Sequence, residues 1–151
     1  MTELPLPATG GCRCGAVRFE ISASPFFSSA CHCRGCQRMT GSAYSLTMSV
    51  PAVGFRVDSG DPVPGGLRNE NKHMHCPDCH SWVFTRPAGA DFLVNVRTTM
   101  LDNVPGDVPF IETCLAEALP YAALDAPHQF DGFPPEDQYE PLMRKYASER
   151  H

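Results

Sequence analysis

Seven of the eight cysteines stand in three short clusters, and these clusters constrain the fold more than any other feature of the chain. In extended backbone, residues two apart point to the same side, so a Cys-x-Cys pair can direct two thiolates at one ion. A Cys-x-x-Cys pair does the same around a tight turn. Sets of thiolates select zinc or iron–sulfur chemistry, and tetrahedral zinc is the common choice inside cells. The clusters are Cys12-Arg13-Cys14, Cys31-His32-Cys33-Arg34-Gly35-Cys36 and Cys76-Pro77-Asp78-Cys79.

Two pairs and one triple divide naturally into one closed and one open zinc site. A structural zinc takes four protein ligands, whereas a catalytic zinc takes three and leaves one position open. The spacing alone also allows another partition. The expected ligands are Cys12, Cys14, Cys76 and Cys79 for the closed site, and Cys31, Cys33 and Cys36 for the open site.

The triple has other interpretations. It is compatible with a vestigial site, or with a site completed by an eighth protein ligand. A redox pair at Cys33 and Cys36 is a third alternative, although no βαβ pattern surrounds it. An open metal–thiolate site suits the capture of a small thiol, a carbonyl or a water. We therefore treat the triple as the candidate catalytic site.

Charged residues stand among these cysteines. His32 is a candidate proton carrier, and a solvated loop histidine is an equal alternative. Arg13, Arg34 and Arg38 can compensate the thiolate charge, or they can bind the carboxylates of a substrate.

Further candidates lie outside the clusters themselves. His73, His75 and His80 flank the third cluster as exposed residues or as neighbours of the ligands, and one of them is an alternative fourth ligand for the open site. Cys114 stands in an apolar stretch, which predicts core packing rather than metal ligation.

The composition predicts a mainly β fold of antiparallel sheets in a single domain. Fifteen prolines and twelve glycines in 151 residues favour short strands joined by loops over long helices. The expected boundaries are an N-terminal tail at 1–10 that runs into a Gly10-Gly11 turn, a zinc-binding domain at 11–135 and a C-terminal extension at 136–151. A helix in this extension would begin after Pro141. Alternation or apolar content predicts strands at 16–22, 44–50, 55–57, 81–85, 92–98 and 110–115. The polar stretch at 69–75 is a further candidate strand that runs into Cys76.

Charge and hydropathy exclude several partners. The formal net charge is −5, which disfavours nucleic acid. No apolar run is long enough to span a membrane, and the first residues show no secretory signal pattern. We therefore expect a cytoplasmic protein with reduced thiols.

The cysteine motifs, taken with their neighbours, resemble the glutathione-dependent formaldehyde-activating (GFA) family. The resemblance runs from about residue 10 to residue 103, and more loosely to about residue 135. One departure is His80, which stands where the family usually has glycine, so we expect a positive φ angle there. The matching segments are Gly11-Cys12-Arg13-Cys14-Gly15, Cys31-His32-Cys33 with Cys36, Thr40-Gly41-Ser42-Ala43, Phe55 with Gly60, Cys76-Pro77-Asp78-Cys79, Arg86-Pro87 and Leu101-Asp102.

The resemblance implies a small β-tent zinc fold. It implies a structural zinc on the first and third clusters and a second, labile zinc on the middle cluster. The implied activity is that of a carbon–sulfur lyase that condenses glutathione with formaldehyde to S-(hydroxymethyl)glutathione, with glutathione or another small thiol adduct as partner. The alternative function is a non-catalytic zinc module that binds a thiol or a protein partner.

Overall fold

The computed structural model describes residues 1–65 and 70–150. Of the described residues, 33% are in strands and 21% are helical, so the predicted mainly β fold is confirmed. The α-helices among them are α1 (Arg34–Thr40) and α2 (Tyr139–Glu149), and the other helical residues form short 3-10 turns. The strands are β1 (Ala8–Gly11), β2 (Arg18–Ile21), β3 (Phe27–Cys31), β4 (Ser45–Pro51), β5 (Phe55–Ser59), β6 (Val63–Gly65), β7 (Lys72–His75), β8 (Trp82–Arg86), β9 (Leu93–Arg97), β10 (Ile111–Thr113) and β11 (His128–Gln129).

The chain divides into two compact units, each assembled from separate stretches of sequence. We call the first the four-cysteine unit, which comprises Leu4–Pro25 and Met48–Pro105. The second is the three-cysteine unit, which comprises Met1–Glu3, Phe26–Thr47 and Gly106–His151. The first and third cysteine clusters thus fall in one unit and the middle cluster in the other.

The four-cysteine unit is built from antiparallel strands. One sheet has the order β1-β2-β5, and β6, β7, β8 and β9 pair as successive neighbours. In β2, Phe19 and Ile21 are buried while Arg18 and Glu20 are partly exposed, which is the alternation expected of a half-buried strand. Phe55 packs against Phe19 at a centroid distance of 5.6 Å and against Phe84 at 4.8 Å.

The three-cysteine unit combines parallel strands with both helices. Strand β10 pairs in parallel with β3 on one side and with β11 on the other. Its core contains side chains from β3, β10 and α2, together with Phe110, which is fully buried. The helical residues Leu142 and Tyr146 are four positions apart and therefore point to the same side of α2. This core supports the strand that carries Cys31.

Several local predictions need correction. Gly10 and Gly11 lie in β1 rather than in a turn, and β3 and β6 were not predicted. Helix α2 begins before Pro141, because proline in the first helical turn removes no intrahelical hydrogen bond. The parallel pairing of β3 with β10 was also not predicted. Of the predicted strand at 69–75, residue 69 lies outside the described residues, and Lys72–His75 form β7. Among the described residues, neither helix has the length and apolarity that a membrane span needs.

Candidate metal centres

Cys12, Cys14, Cys76 and Cys79 converge in the four-cysteine unit, and we call this set the four-cysteine centre. Their four Sγ atoms all lie within 4.8 Å of one another. Cys14 Sγ is 3.6 Å from Cys12 Sγ and 3.8 Å from Cys76 Sγ. Four sulfurs around a tetrahedral zinc are about 3.8 Å apart, since each Zn–S bond is about 2.3 Å long. The donor set therefore fits zinc without rearrangement.

Two turns shape the four-cysteine centre. In the first, the Cys12 amide donates to Val17 O at 3.0 Å, and the Val17 amide donates to Cys12 Sγ at 3.2 Å. In the second, the Cys76 amide donates to Ser81 O and the His80 amide donates to Cys76 O. The Ser81 hydroxyl contacts Cys79 Sγ at 3.2 Å and lowers the pKa of this thiol to about 5. Amide and hydroxyl donors that face sulfur favour the thiolate form that binds a metal.

His80 adopts the left-handed conformation that the sequence comparison predicts. Its φ angle is +63°, a region that is disfavoured for residues with a Cβ atom. The conformation completes the turn in which the His80 amide bonds to Cys76 O at 2.9 Å. The histidine therefore preserves the turn that a glycine would form at lower conformational cost.

Cys31, Cys33 and Cys36 converge in the three-cysteine unit, and we call this set the three-cysteine centre. Their Sγ atoms also lie within 4.8 Å of one another. Cys31 ends β3, while Cys33 is the N-cap of α1 and accepts a 3.3 Å hydrogen bond from the Cys36 amide. Gly41, in a left-handed conformation with φ of +61°, caps the other end of α1. A strand end and the first turn of a helix thus present the three thiols.

The three-cysteine centre differs from the four-cysteine centre in ligand number. Its three cysteines are all of intermediate exposure, so a solvent molecule or a small ligand can approach. Across residues 1–65 and 70–150, no other Cys, His, Asp or Glu ligand atom joins the three within 4.8 Å of them all. The arrangement fits a zinc ion with three protein ligands and one further coordination position.

Interactions among the three thiols shift their pKa values. Hydrogen bonds from Cys36 and, to a smaller extent, from the Thr113 hydroxyl lower the pKa of Cys31 to about 5, against the opposing effect of burial. The same interaction with Cys31, together with burial, raises the pKa of Cys36 well above its ordinary value. At neutral pH the centre thus holds a thiolate shared with neighbouring thiols. A negative, sulfur-rich site of this kind attracts a soft cation.

His32 lies between two ligands of the three-cysteine centre but points into the interior. It is fully buried, and its Nε2 lies 3.1 Å from Glu112 Oε1. A carboxylate only accepts hydrogen bonds, so this contact places the imidazole proton on Nε2. The His32 backbone is held as well, because its amide donates to Thr113 O and its carbonyl accepts from Gln37 Nε2. The geometry favours an anchoring role for His32.

Glu112 is a buried carboxylate that sequence analysis did not single out. Besides His32, it accepts hydrogen bonds from the amides of Leu124 at 2.6 Å and Ala126 at 3.2 Å, and from Gln129 Nε2 at 2.9 Å. Burial alone would raise the pKa of Glu112, but these hydrogen bonds outweigh it and hold the pKa below its ordinary value. A charged residue inside the predicted apolar strand at 110–115 was the available sequence signal.

The three candidate arginines occupy different places. Arg34 and Arg38 are exposed on α1, next to the three-cysteine centre in sequence. The Arg34 guanidinium donates to Gln37 Oε1 at 2.6 Å, and its backbone amide donates to Glu117 Oε1. Arg13 is exposed in the four-cysteine unit, where its amide donates to Ser81 Oγ at 3.3 Å. Two of the three are thus on the helix that carries the open centre.

The flanking histidines and Cys114 complete the predicted set. His73 and His75 contact the ring of Trp82, at centroid distances of 5.3 and 6.5 Å, and neither they nor His80 belong to a metal-ligand group of the described residues. Cys114 is buried, as predicted, with 5% of its surface exposed. Its thiol interacts with Cys31 of the three-cysteine centre, a proximity that the sequence did not indicate.

Comparisons with known proteins agree with this arrangement. A crystal structure of a Rhodobacter sphaeroides protein, a Northeast Structural Genomics target, matches 65% of this chain and 91% of its own with a TM-score of 0.52 and 23% identity. This likeness supports the fold alone. No curated protein matches the chain. The family described as "Glutathione-dependent formaldehyde-activating enzyme" matches residues 7–115, which include both cysteine centres. The chain belongs to the glutathione-dependent formaldehyde-activating enzyme family.

Proposed function

We propose that the protein is a zinc-dependent enzyme of the carbon–sulfur lyase type that forms and cleaves a glutathione–formaldehyde adduct. The observation that carries this proposal is the three-cysteine centre, in which three partly exposed thiols converge without a fourth ligand among the described residues. The family to which the chain belongs supplies the substrate class. The four-cysteine centre has its full ligand set and supports a structural role.

The proposed reaction joins the sulfur of glutathione to the carbon of formaldehyde. A C–S bond forms, the carbonyl π bond opens, and the proton lost by the thiol is balanced by one gained at the oxygen. Zinc held by Cys31, Cys33 and Cys36 would lower the pKa of an added thiol, so that its thiolate is available at neutral pH. Solvent can exchange the protons because the three thiols are partly exposed.

The residues around the centre have separate roles in this proposal. His32 was a candidate proton carrier or a solvated loop residue on sequence grounds. It is fully buried against Glu112, so we assign it the role of holding the Cys31–Cys33 segment in place. Arg34 and Arg38 are exposed on α1 and are available for the two carboxylates of glutathione. Arg13 belongs to the four-cysteine unit, and we assign it to charge compensation there.

Metal analysis combined with glutathione titration tests the proposal. We expect two zinc ions per chain, and we expect glutathione to protect the three-cysteine centre from a chelator. Exchange NMR with carbon-13 formaldehyde should show faster adduct formation in the presence of the zinc-loaded protein. Cys33→Ser should abolish both effects. A protein that holds two zinc ions and shows neither effect at millimolar glutathione would favour the non-catalytic zinc module.

The two arginines are tested with a matched control. Arg34→Ala or Arg38→Ala should weaken glutathione binding, by about tenfold for a sheltered charge-assisted hydrogen bond. Arg144 is an exposed arginine of the same unit, engaged with Glu140 at 2.9 Å on α2, so Arg144→Ala controls for the loss of a positive charge. If all three variants weaken binding equally, Arg34 and Arg38 contribute only through the net charge of the protein.

A further inference from the structure

Cys114 directly follows Thr113, the residue of β10 that pairs with Cys31 of the three-cysteine centre. In the parallel ladder of β3 and β10, Thr113 is the register partner of Cys31. The His32 amide donates to Thr113 O at 3.0 Å, so the two segments remain bonded past the paired residues. Cys114 follows directly, is 5% exposed, and its thiol interacts with Cys31. Cys114 is therefore a neighbour of Cys31 in the three-cysteine unit.

The backbone at Cys114 is held in an uncommon conformation. Its φ angle is +56°, in the left-handed region that a residue with a Cβ atom rarely adopts. Hydrogen bonds fix it there: the Cys114 amide donates to Gly132 O at 2.8 Å, and the Glu117 amide donates to Cys114 O at 3.0 Å. This turn takes the side chain out of the alternation of strand β10. The position of the thiol is thus set by the surrounding structure rather than by strand geometry.

A tetrahedral metal ion at the three-cysteine centre has one coordination position left after Cys31, Cys33 and Cys36 have bound. Cys114 Sγ is not among the atoms that lie within 4.8 Å of one another, although it interacts with Cys31. Rotation about χ1 from one staggered rotamer to the next moves the sulfur of a cysteine by about 3 Å. Such a rotation at Cys114 changes the distance from its sulfur to the other thiols by up to that amount. A change of χ1 at Cys114 is therefore the movement that the proposal below requires.

We propose that Cys114 is a resident fourth ligand of the three-cysteine centre, which occupies the open position until an external thiol replaces it. The proposal rests on the proposed function, because the replacing thiol is the substrate. In the exchange, the metal bond of the Cys114 sulfur breaks and a bond to the incoming sulfur forms. The proton of the incoming thiol passes to Cys114, so the exchange consumes and releases no net proton.

Cobalt substitution of the full chain counts the ligands directly. The near-ultraviolet charge-transfer absorption of cobalt grows with the number of thiolate bonds. Wild type should show eight such bonds per chain, and Cys114→Ser should show seven, which lowers the absorption by about one eighth. Glutathione should leave the wild-type intensity unchanged, because one sulfur replaces another, and should restore the lost intensity in Cys114→Ser.

The opposite result overturns the inference. If Cys114 is only a neighbour of Cys31, wild type and Cys114→Ser have equal absorption and gain equally on addition of glutathione. If Cys114→Ser is weaker than wild type but neither protein responds to glutathione, the ligand assignment stands and the proposed function fails.

A measurement on wild type removes any dependence on the folding of the variant. X-ray absorption at the zinc edge should give an average of four sulfurs per zinc if Cys114 binds. An average between three and four, together with a lighter scatterer from water, contradicts the assignment. Far-ultraviolet circular dichroism of Cys114→Ser and Cys114→Ala then checks that the cobalt comparison was made on folded proteins.

Discussion

The two cysteine centres differ in how far apart their cysteines stand in sequence. In the four-cysteine centre, Cys14 meets Cys76 across 62 residues of chain. In the three-cysteine centre, all three cysteines fall within one short segment. A metal that joins distant segments stabilises the fold, because the unfolded chain cannot bring its ligands together. A metal held by a local segment contributes less to the fold and is free to exchange ligands.

The strongest test of this contrast is removal of a ligand from the four-cysteine centre. Cys12→Ser or Cys79→Ser should abolish the cooperative melting transition, since structural zinc supplies about 10 kcal/mol or more in small zinc-dependent domains. Circular dichroism and zinc content are the measurements. A variant that stays folded without this zinc would show that the two centres are alike in their contribution to stability.

Removal of the buried carboxylate comes next in expected size. Glu112→Ala leaves the amides of Leu124 and Ala126 without their acceptor, which should cost about 3 kcal/mol or more. It also releases His32 and should lower zinc affinity at the three-cysteine centre by about 10- to 100-fold. Zinc at the four-cysteine centre should be retained, as competition with a chelator would show.

The contribution of Glu112 to stability depends on pH with a defined sign, which a second variant, Glu112→Gln, tests. The pKa of Glu112 is lowered in the folded protein, so its contribution is fully present above the unfolded value of about 4.3 and is lost as the pH falls through the folded pKa. The stability difference between wild type and Glu112→Gln should therefore shrink on acidification below pH 4.3. A difference that stays constant with pH would mean that the amide replaces the carboxylate fully.

Removal of a ligand from the three-cysteine centre should have a smaller effect on the fold. Cys33→Ser should stay folded, bind about one zinc ion per chain, and lose about 2 kcal/mol, as expected when a ligand of moderate affinity is lost. Metal analysis and thermal melting check this. If its melting temperature falls as far as that of Cys12→Ser, the three-cysteine centre is structural and the proposed open position is wrong.

The sequence predicted which cysteines converge better than it predicted their surroundings. Cys-x-Cys and Cys-x-x-Cys motifs involve residues close in sequence, so they can be recognised as metal-binding patterns without knowledge of the fold. The strand at Arg18–Ile21 was also predictable, since its alternation places Phe19 and Ile21 inside. The environment of His32 was not, because Glu112 is 80 residues away and reaches it through the parallel pairing of β3 with β10. Parallel pairing carries no local turn signal.

Cys114 is a second residue whose neighbours could not be predicted from local sequence patterns. An apolar stretch correctly predicted its burial, yet burial does not say which neighbours a side chain has. Its left-handed conformation was also invisible, because cysteine has no special preference for that region. The positive φ angle of His80, by contrast, was predictable, because the resemblance to the family implies a glycine at its position.

His80 and Cys114 offer the finest comparison, since each unit contains one of these left-handed residues beside its cysteine centre. His80→Gly should stabilise the protein by about 1 kcal/mol, because glycine adopts the left-handed region without steric cost, less the entropy that it adds to the unfolded chain. The His80 side chain belongs to no metal-ligand group of the described residues, so zinc content should be unchanged. Cys114→Gly relieves the same type of backbone strain but removes a proposed ligand, so it should gain less stability when the three-cysteine centre holds zinc than after a weak chelator has emptied that centre alone. Melting of both variants with the three-cysteine centre loaded and emptied, and with zinc kept at the four-cysteine centre, measures the difference. Equal zinc dependence in the two variants would leave Cys114 as a packing residue and the three-cysteine centre with three ligands from the chain.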